Sequence, residues 1–152
     1  MAPPLDSGAM NERASGGAEA GEMVAEPAAS VRRRIEFSDV DSSGRYHYGT
    51  VIRLLEAAEV ELLARLGLLD EIYTSMPRAH LEVDYRSTLY FMDEVEVGIS
   101  VERLGRTSVT FAFRVVRDGE ICASGRLVTV HVGEDGTPTP WPPEARSALD
   151  AT

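Results

Sequence analysis

The chain has 152 residues, of which 43% are hydrophobic and 26% charged, enough for one domain with a real core and ordinary for a globular protein. A formal net charge of −10 argues against general affinity for nucleic acid or an anionic membrane surface, although a local arginine cluster could still hold a phosphorylated ligand. The single cysteine, Cys122, excludes an internal disulfide framework and a cysteine-rich zinc site, and fits a reducing compartment.

Residues 1–30 are rich in Ala, Gly, Ser, Pro and Glu and contain no aromatic residue, so they read as a disordered tail. They show no basic-then-apolar signal pattern, and no stretch of the chain is long and apolar enough to span a bilayer; the expected location is cytoplasmic. The folded part is expected from Val31. Val31, Arg33, Ile35 and Phe37 alternate with polar positions and predict a first strand over 31–38. A helix follows over about 48–69. Val51, Leu55, Ala58, Leu62, Leu66 and Leu69 form its apolar stripe, and Ile52, Leu54, Ala57, Val60 and Leu63 widen it. The polar side is narrow, chiefly Arg53, Glu61 and Arg65, so other elements should wrap this helix. Gly67 is a weak spot near its end.

Four strand patterns come next, over 80–90, 94–104, 107–117 and 120–132. Asp118-Gly119 is a strong hairpin signal, and Met92-Asp93 and Leu104-Gly105-Arg106 look like turns. The order is β-α-β-β-β-β. Short links among the last four strands imply an antiparallel meander. The expected class is α+β, a five-stranded curved antiparallel sheet around one central helix. Residues 134–152 are Pro-rich and read as an irregular tail anchored by Trp141.

The stretch "DVDSSGRYHYGT", residues 39–50, places two acids just ahead of the helix. Asp39, Asp41, Ser43 and Gly44 match positions 1, 3, 5 and 6 of a calcium loop, but position 12 is Thr50 rather than a bidentate glutamate, and no metal site is expected. Asp residues there could simply cap the helix and oppose its dipole. Alternatively, unpaired N–H groups at the helix start could polarise a carbonyl while a nearby carboxylate attacks it or activates water.

"DVDSSG" before the helix, "VDYRSTLYFMDEVEV" after it and "ERLGRTSVTFAFRVVRDGEICASGRLVTVHV" at the end of the sheet together resemble hotdog-fold acyl-CoA thioesterases of the 4-hydroxybenzoyl-CoA thioesterase type. The resemblance covers about residues 31–133 and rests on order and spacing. It implies a hotdog domain over 31–133 that hydrolyses a fatty or aromatic acyl-CoA or acyl-carrier-protein thioester. It implies Asp41 as the catalytic carboxylate, nucleophile or general base, and the Tyr48 backbone N–H as the oxyanion donor. Gly44 matches the turn glycine, and Asp39 a structural first acid. It implies a homodimer or homotetramer with sites at the subunit interface, and no cofactor beyond the coenzyme A of the substrate. Two departures stand out: Arg45-Tyr46-His47 follows Gly44 where small or branched apolar residues are usual, and Val51 replaces a frequent Tyr.

His47 could serve as a base or orient substrate, against a plain surface or packing role. Glu56 is the backup carboxylate, since some hotdog thioesterases use a helix glutamate; Glu56 and Glu59 otherwise read as a polar helix edge. Arg86, Arg103 and Arg106 could meet coenzyme A phosphates, with Ser87 and Ser108 nearby, although each also reads as an ordinary surface residue. Cys122 reads as packing. A hotdog dehydratase or hydratase pairs Asp with His five positions later in a Gly-Asp-x-Asn-Pro context, which is missing here. A non-catalytic acyl-thioester binder is the other alternative, because fold does not fix function.

Overall fold

The computed structural model describes residues 26–152. The expected tail therefore lies mostly outside the described residues. Its last residues do not belong to a tail: strand β1 is Ala29–Arg34, and Ala29 is buried. The first strand also ends before 38, because Phe37–Asp39 form a single 3-10 turn.

Helix α1 is Thr50–Arg65, shorter at both ends than the periodicity predicts. Its end is a glycine-terminated cap. Gly67 has φ +71°, its N–H reaches the Ala64 carbonyl at 3.1 Å, and the Leu68 N–H reaches Leu63 at 2.8 Å. Those two bonds satisfy carbonyls that the last turn leaves open, and buried Leu68 closes the cap with an apolar contact. Leu69 therefore belongs to a separate short helix, α2 (Leu69–Ile72), and not to α1.

The remaining strands are β2 (Arg78–Tyr85), β3 (Glu94–Leu104), β4 (Ser108–Arg117) and β5 (Glu120–Val130). All pair antiparallel, in the order β1-β3-β4-β5-β2. Strands β3, β4 and β5 form a meander, joined at one end by Asp118-Gly119, both with positive φ as a two-residue hairpin turn requires. The expected meander does not extend to β2. The chain leaves β2, crosses in residues 86–93, and starts β3 at the far side of β4 and β5, so β2 pairs with β5 at one edge and β1 with β3 at the other.

Alternation sets the core. Val95, Val97 and Ile99 on β3 and Val109, Phe111, Phe113 and Val115 on β4 are buried. They meet Val51, Leu54, Leu55, Ala58, Leu62 and Leu63 of α1 in one apolar cluster. Helix α1 lies chiefly over β1 and β3, with a lesser contact on β4. Strand β2 is left with Leu81 and Val83 only half-buried. It lies against β5 with almost no clearance: a Cβ added at Gly125 would come within 1.9 Å of the Glu82 carbonyl oxygen.

The C-terminal segment is not wholly irregular. Helix α3 spans Pro143–Asp150, with proline in its first turn, where the missing N–H costs nothing. Trp141 is buried, stacks on His131 at 5.2 Å, and donates its indole N–H to the Ser108 carbonyl at 3.3 Å.

Candidate active site

The loop between β1 and α1 is pinned from several sides. Asp39 is 5% exposed and acts as its anchor. Its carboxylate accepts the Glu36 N–H at 2.8 Å and both Nε and Nη2 of Arg53, the Nε at 3.0 Å. Its backbone carbonyl accepts the His47 N–H at 2.8 Å and the Thr50 hydroxyl at 3.1 Å. One buried residue thus joins the loop's start to the helix opening.

Between those anchors the chain makes a tight reversal. Val40 bridges to Tyr46, the Asp41 N–H donates to the Arg45 carbonyl at 2.9 Å, and the Gly44 N–H donates back to the Asp41 carbonyl at 3.0 Å. Gly44 has φ +78°, which a side chain would strain. The reversal is laced to the 86–93 crossing: Tyr46 N–H meets the Leu89 carbonyl at 3.0 Å, and Arg45 bridges to Tyr90.

This places Asp41 at the tip, solvent-exposed, on a cleft of about 610 Å³. Tyr46, Tyr48, Tyr85, Tyr90, Arg45 and Arg86 line the same cleft. Asp41 Oδ1 accepts the Ser43 hydroxyl and the Ser43 N–H, the latter at 2.8 Å, while Oδ2 has no partner among the described residues. The Ser43 hydroxyl is the main reason the Asp41 carboxyl is held below the usual aspartate range; the Ser43 N–H adds to it, and the Arg45 backbone and the charge of His47 contribute less. An ionised carboxylate with one free oxygen faces the cleft.

Tyr48 comes two residues before the helix. The residue is 82% exposed, and its carbonyl accepts the Tyr85 hydroxyl at 2.6 Å. The Thr50 N–H is used by His47 and the Ile52 N–H by Gly49, whereas the Tyr48 and Gly49 N–H groups have no acceptor among the described residues. The helix opening therefore keeps donors available beside the cleft.

The other expected residues divide. Arg86 and Ser87 line the cleft, and the Ser87 hydroxyl donates to Glu120. His47 is exposed beside Asp41 and acts on it electrostatically. Glu56 does not line the cleft; it accepts the Tyr73 hydroxyl at 3.0 Å. Arg106 and Ser108 lie away from it, at the β3–β4 turn, where their carbonyls receive the backbone and indole N–H of Trp141. Arg103 is exposed on β3 and also lies outside the cleft. Glu59 is not a solvated edge: it is 1% exposed, bonded by Arg78 at 2.8 Å through Oε2, with Oε1 buried and unpartnered.

Arg45, Tyr46, Tyr85, Tyr90 and Arg117 are not singled out by sequence as site residues. Arg117 donates to Asp93 at 2.8 Å and to the Thr88 carbonyl at 3.1 Å, fixing the crossing that forms one wall. Tyr46 and Tyr85 rings lie 6.3 Å apart, and burial pushes the Tyr46 hydroxyl up to about 12. The available signal is the density of tyrosines in "GRYHYG" and "YRSTLYF".

A family model described as thioesterase-like superfamily matches residues 35–149. A 1,4-dihydroxy-2-naphthoyl-CoA hydrolase of Synechococcus sp. (strain CC9605) is 26% identical over 115 residues, covering 69% of this chain and 77% of that protein. Among solved structures, a thioesterase from Thermus thermophilus, complexed with coenzyme A and Zn, superposes with TM-score 0.75 at 30% identity, covering 82% of this chain and 94% of that one. A gentisyl-coenzyme A thioesterase superposes with TM-score 0.72 at 22% identity, covering 79% and 98%, and at that identity shares the fold alone.

Proposed function

The chain belongs to the thioesterase-like superfamily and has the hotdog fold, and we propose on that premise that it hydrolyses the thioester of a fatty or aromatic acyl-CoA, or of an acyl-carrier protein, in the cleft at Asp41. One observation carries the reading: a free carboxylate oxygen shares a cleft with the unpaired N–H groups that open α1. The thioester carbonyl oxygen would sit against the Tyr48 N–H, whose pull grows as negative charge develops on that oxygen. Asp41 then either attacks the carbonyl carbon, expelling the thiolate and leaving an acyl-aspartate for water to cleave, or takes a proton from a water that attacks. Arg86 and Ser87, which line the same cleft, would meet the coenzyme A portion. The scheme uses no cofactor.

A homodimer or homotetramer is part of the proposal. Among the described residues strand β2 presents an unpaired edge, α1 leaves the β5–β2 end of the sheet thinly covered, and exposed Phe37, Tyr48, Tyr85, Tyr90, Phe91 and Met92 are distributed about the cleft and the adjoining crossing. A second copy would cover all three. No helix among the described residues is long and apolar enough to cross a membrane, and a single buried thiol suits a cytoplasmic setting.

The test is thiol release from short, long and aromatic acyl-CoAs, with Asp41→Asn as the control. The variant should fold and lose about 100-fold or more in kcat. Unchanged turnover in Asp41→Asn would reject its role. Crotonyl-CoA hydration without thiol release would indicate a hydratase, and tight acyl-CoA binding without turnover would indicate a binding protein.

A further inference from the structure

We propose that Arg45 is a specificity-determining residue, selecting thioesters whose acyl group carries an anionic oxygen substituent, a carboxylate above all. The inference rests on the hydrolase reading of the same cleft and adds the charge that the cleft receives.

Arg45 is half-buried and lines the cleft beside Asp41. Its backbone is fixed by the bond from Asp41 N–H and the bridge to Tyr90. Its guanidinium, in contrast, makes no hydrogen bond, ion pair or ring contact with any described residue. The other half-buried arginines, Arg86, Arg114 and Arg117, all have partners. Arg117, in the same cleft, is committed to Asp93 and Thr88.

The acid nearest to Arg45 in sequence, Asp41, takes its side-chain hydrogen bonds from Ser43 and makes none with the Arg45 guanidinium. Arg45 is partly removed from water, and among the described residues no partner replaces the hydration that its side chain gives up. A planar anion offers two parallel acceptors that match its fork. Tyr46 and Tyr90 add flat surfaces beside it on which an acyl group can lie.

Position favours the acyl group over the phosphates of coenzyme A. Arg45 and Asp41 are joined by a backbone hydrogen bond, so the guanidinium is within side-chain reach of the reacting carbonyl. The phosphates lie at the far end of the pantetheine arm, beyond two amide groups.

The full chain would be assayed with benzoyl and 4-carboxybenzoyl thioesters, each as the coenzyme A ester and as the N-acetylcysteamine ester, which has no phosphate. The quantity read is the ratio of kcat/KM for the carboxylated over the neutral acyl group. In Arg45→Gln that ratio should fall at least about tenfold with both carriers, as expected for losing a charged hydrogen-bonded pair. Arg45→Lys, which keeps the charge without the fork, should fall between. A ratio unchanged in both variants overturns the proposal. So does a loss confined to coenzyme A esters and equal for both acyl groups, which would assign Arg45 to the phosphates. If the unmodified chain releases thiol from none of the four esters, the hydrolase reading fails instead. The same ratio read from calorimetric binding of the four esters then decides the role of Arg45.

Discussion

Replacing Asp39 with asparagine tests whether one buried carboxylate holds the catalytic loop against α1. Asp39 Oδ2 receives the Glu36 N–H at 2.8 Å and Arg53 Nη2, and Oδ1 receives Arg53 Nε at 3.0 Å. Asparagine keeps one oxygen and turns an NH₂ toward donors, so it can preserve at most the bonds to a single oxygen. A neutral bond is worth about 1 kcal/mol and one to a charged group about 1.5–3 kcal/mol. The Arg53 side chain is 43% exposed, so water recovers part of the loss on its side. The expected cost is about 2–3 kcal/mol, which for a domain of this size is a fall in Tm of roughly 5–10 °C. Urea and thermal unfolding would measure it, with Glu61→Gln as control. That residue pairs with Arg65 across an exposed helix face, and its loss should cost about 0.5 kcal/mol or less. Equal effects of the two substitutions would refute the anchoring role. Because the Asp39 carbonyl holds the His47 N–H and the Thr50 hydroxyl, the asparagine variant should also lower kcat more than the Glu61 variant does.

The pH dependence of kcat/KM should show an acid limb below the ordinary aspartate range, and Ser43→Ala should move that limb upward, since Ser43 is the main cause of the depression. An unmoved limb would assign it to another group. Tyr85→Phe removes the bond to the Tyr48 carbonyl and should reduce kcat about tenfold with little change in global stability, read by steady-state kinetics and urea unfolding. Burial raises the Glu59 carboxyl more than Arg78 lowers it, whereas the less buried Arg78 is raised by Tyr73 and Glu59. Both values rise, with opposite meaning for charge: at the deeper Glu59 burial wins and favours the neutral acid, whereas at Arg78 Tyr73 and Glu59 outweigh desolvation and favour the cation. A raised native value means that the folded state holds the proton more tightly, so stability is lost as pH rises from the ordinary value of 4.5 through the raised one. Urea titrations at several pH values should show that decline in the unmodified chain and not in Glu59→Gln; parallel profiles would contradict it. Light scattering should give a dimer or larger, and a monomer at micromolar concentration would count against the shared-interface site.

Much of this architecture is legible in apolar spacing. The α1 stripe and the alternation of β3, β4 and β5 are each set by residues close in sequence, and the observed ends differ by a few residues at most. The errors arise where a distant partner decides. Leu89 stays in phase with Leu81, Val83 and Tyr85, but the Arg86 and Ser87 N–H groups both turn to the Cys122 carbonyl, ending β2. Nothing local announces that β1 takes the edge of β3 that β2 would have filled in a simple meander. Helix α3 is hidden because Pro142-Pro143 reads as a breaker, although proline in a first turn starts a helix. At the site, the order of Asp41, Gly44 and Tyr48 is a local property and legible. The wall made by Arg45, Tyr46, Tyr85 and Tyr90 depends on the bridge of Arg45 to Tyr90 and the bond from Tyr46 to Leu89, which no single segment encodes.

The pinch between Gly125 and the Glu82 carbonyl carries a consequence for the outermost strand. A single added methyl at 125 has nowhere to go, since backbone and not a flexible side chain stands in its path, with the Phe113 ring 3.0 Å away on another side. Alanine there would act as a wedge, prising off the ribbon whose last residue is Tyr85. The bare α-carbon at that seam is therefore a hinge pin for the chemistry: lose it, and a cleft wall swings away.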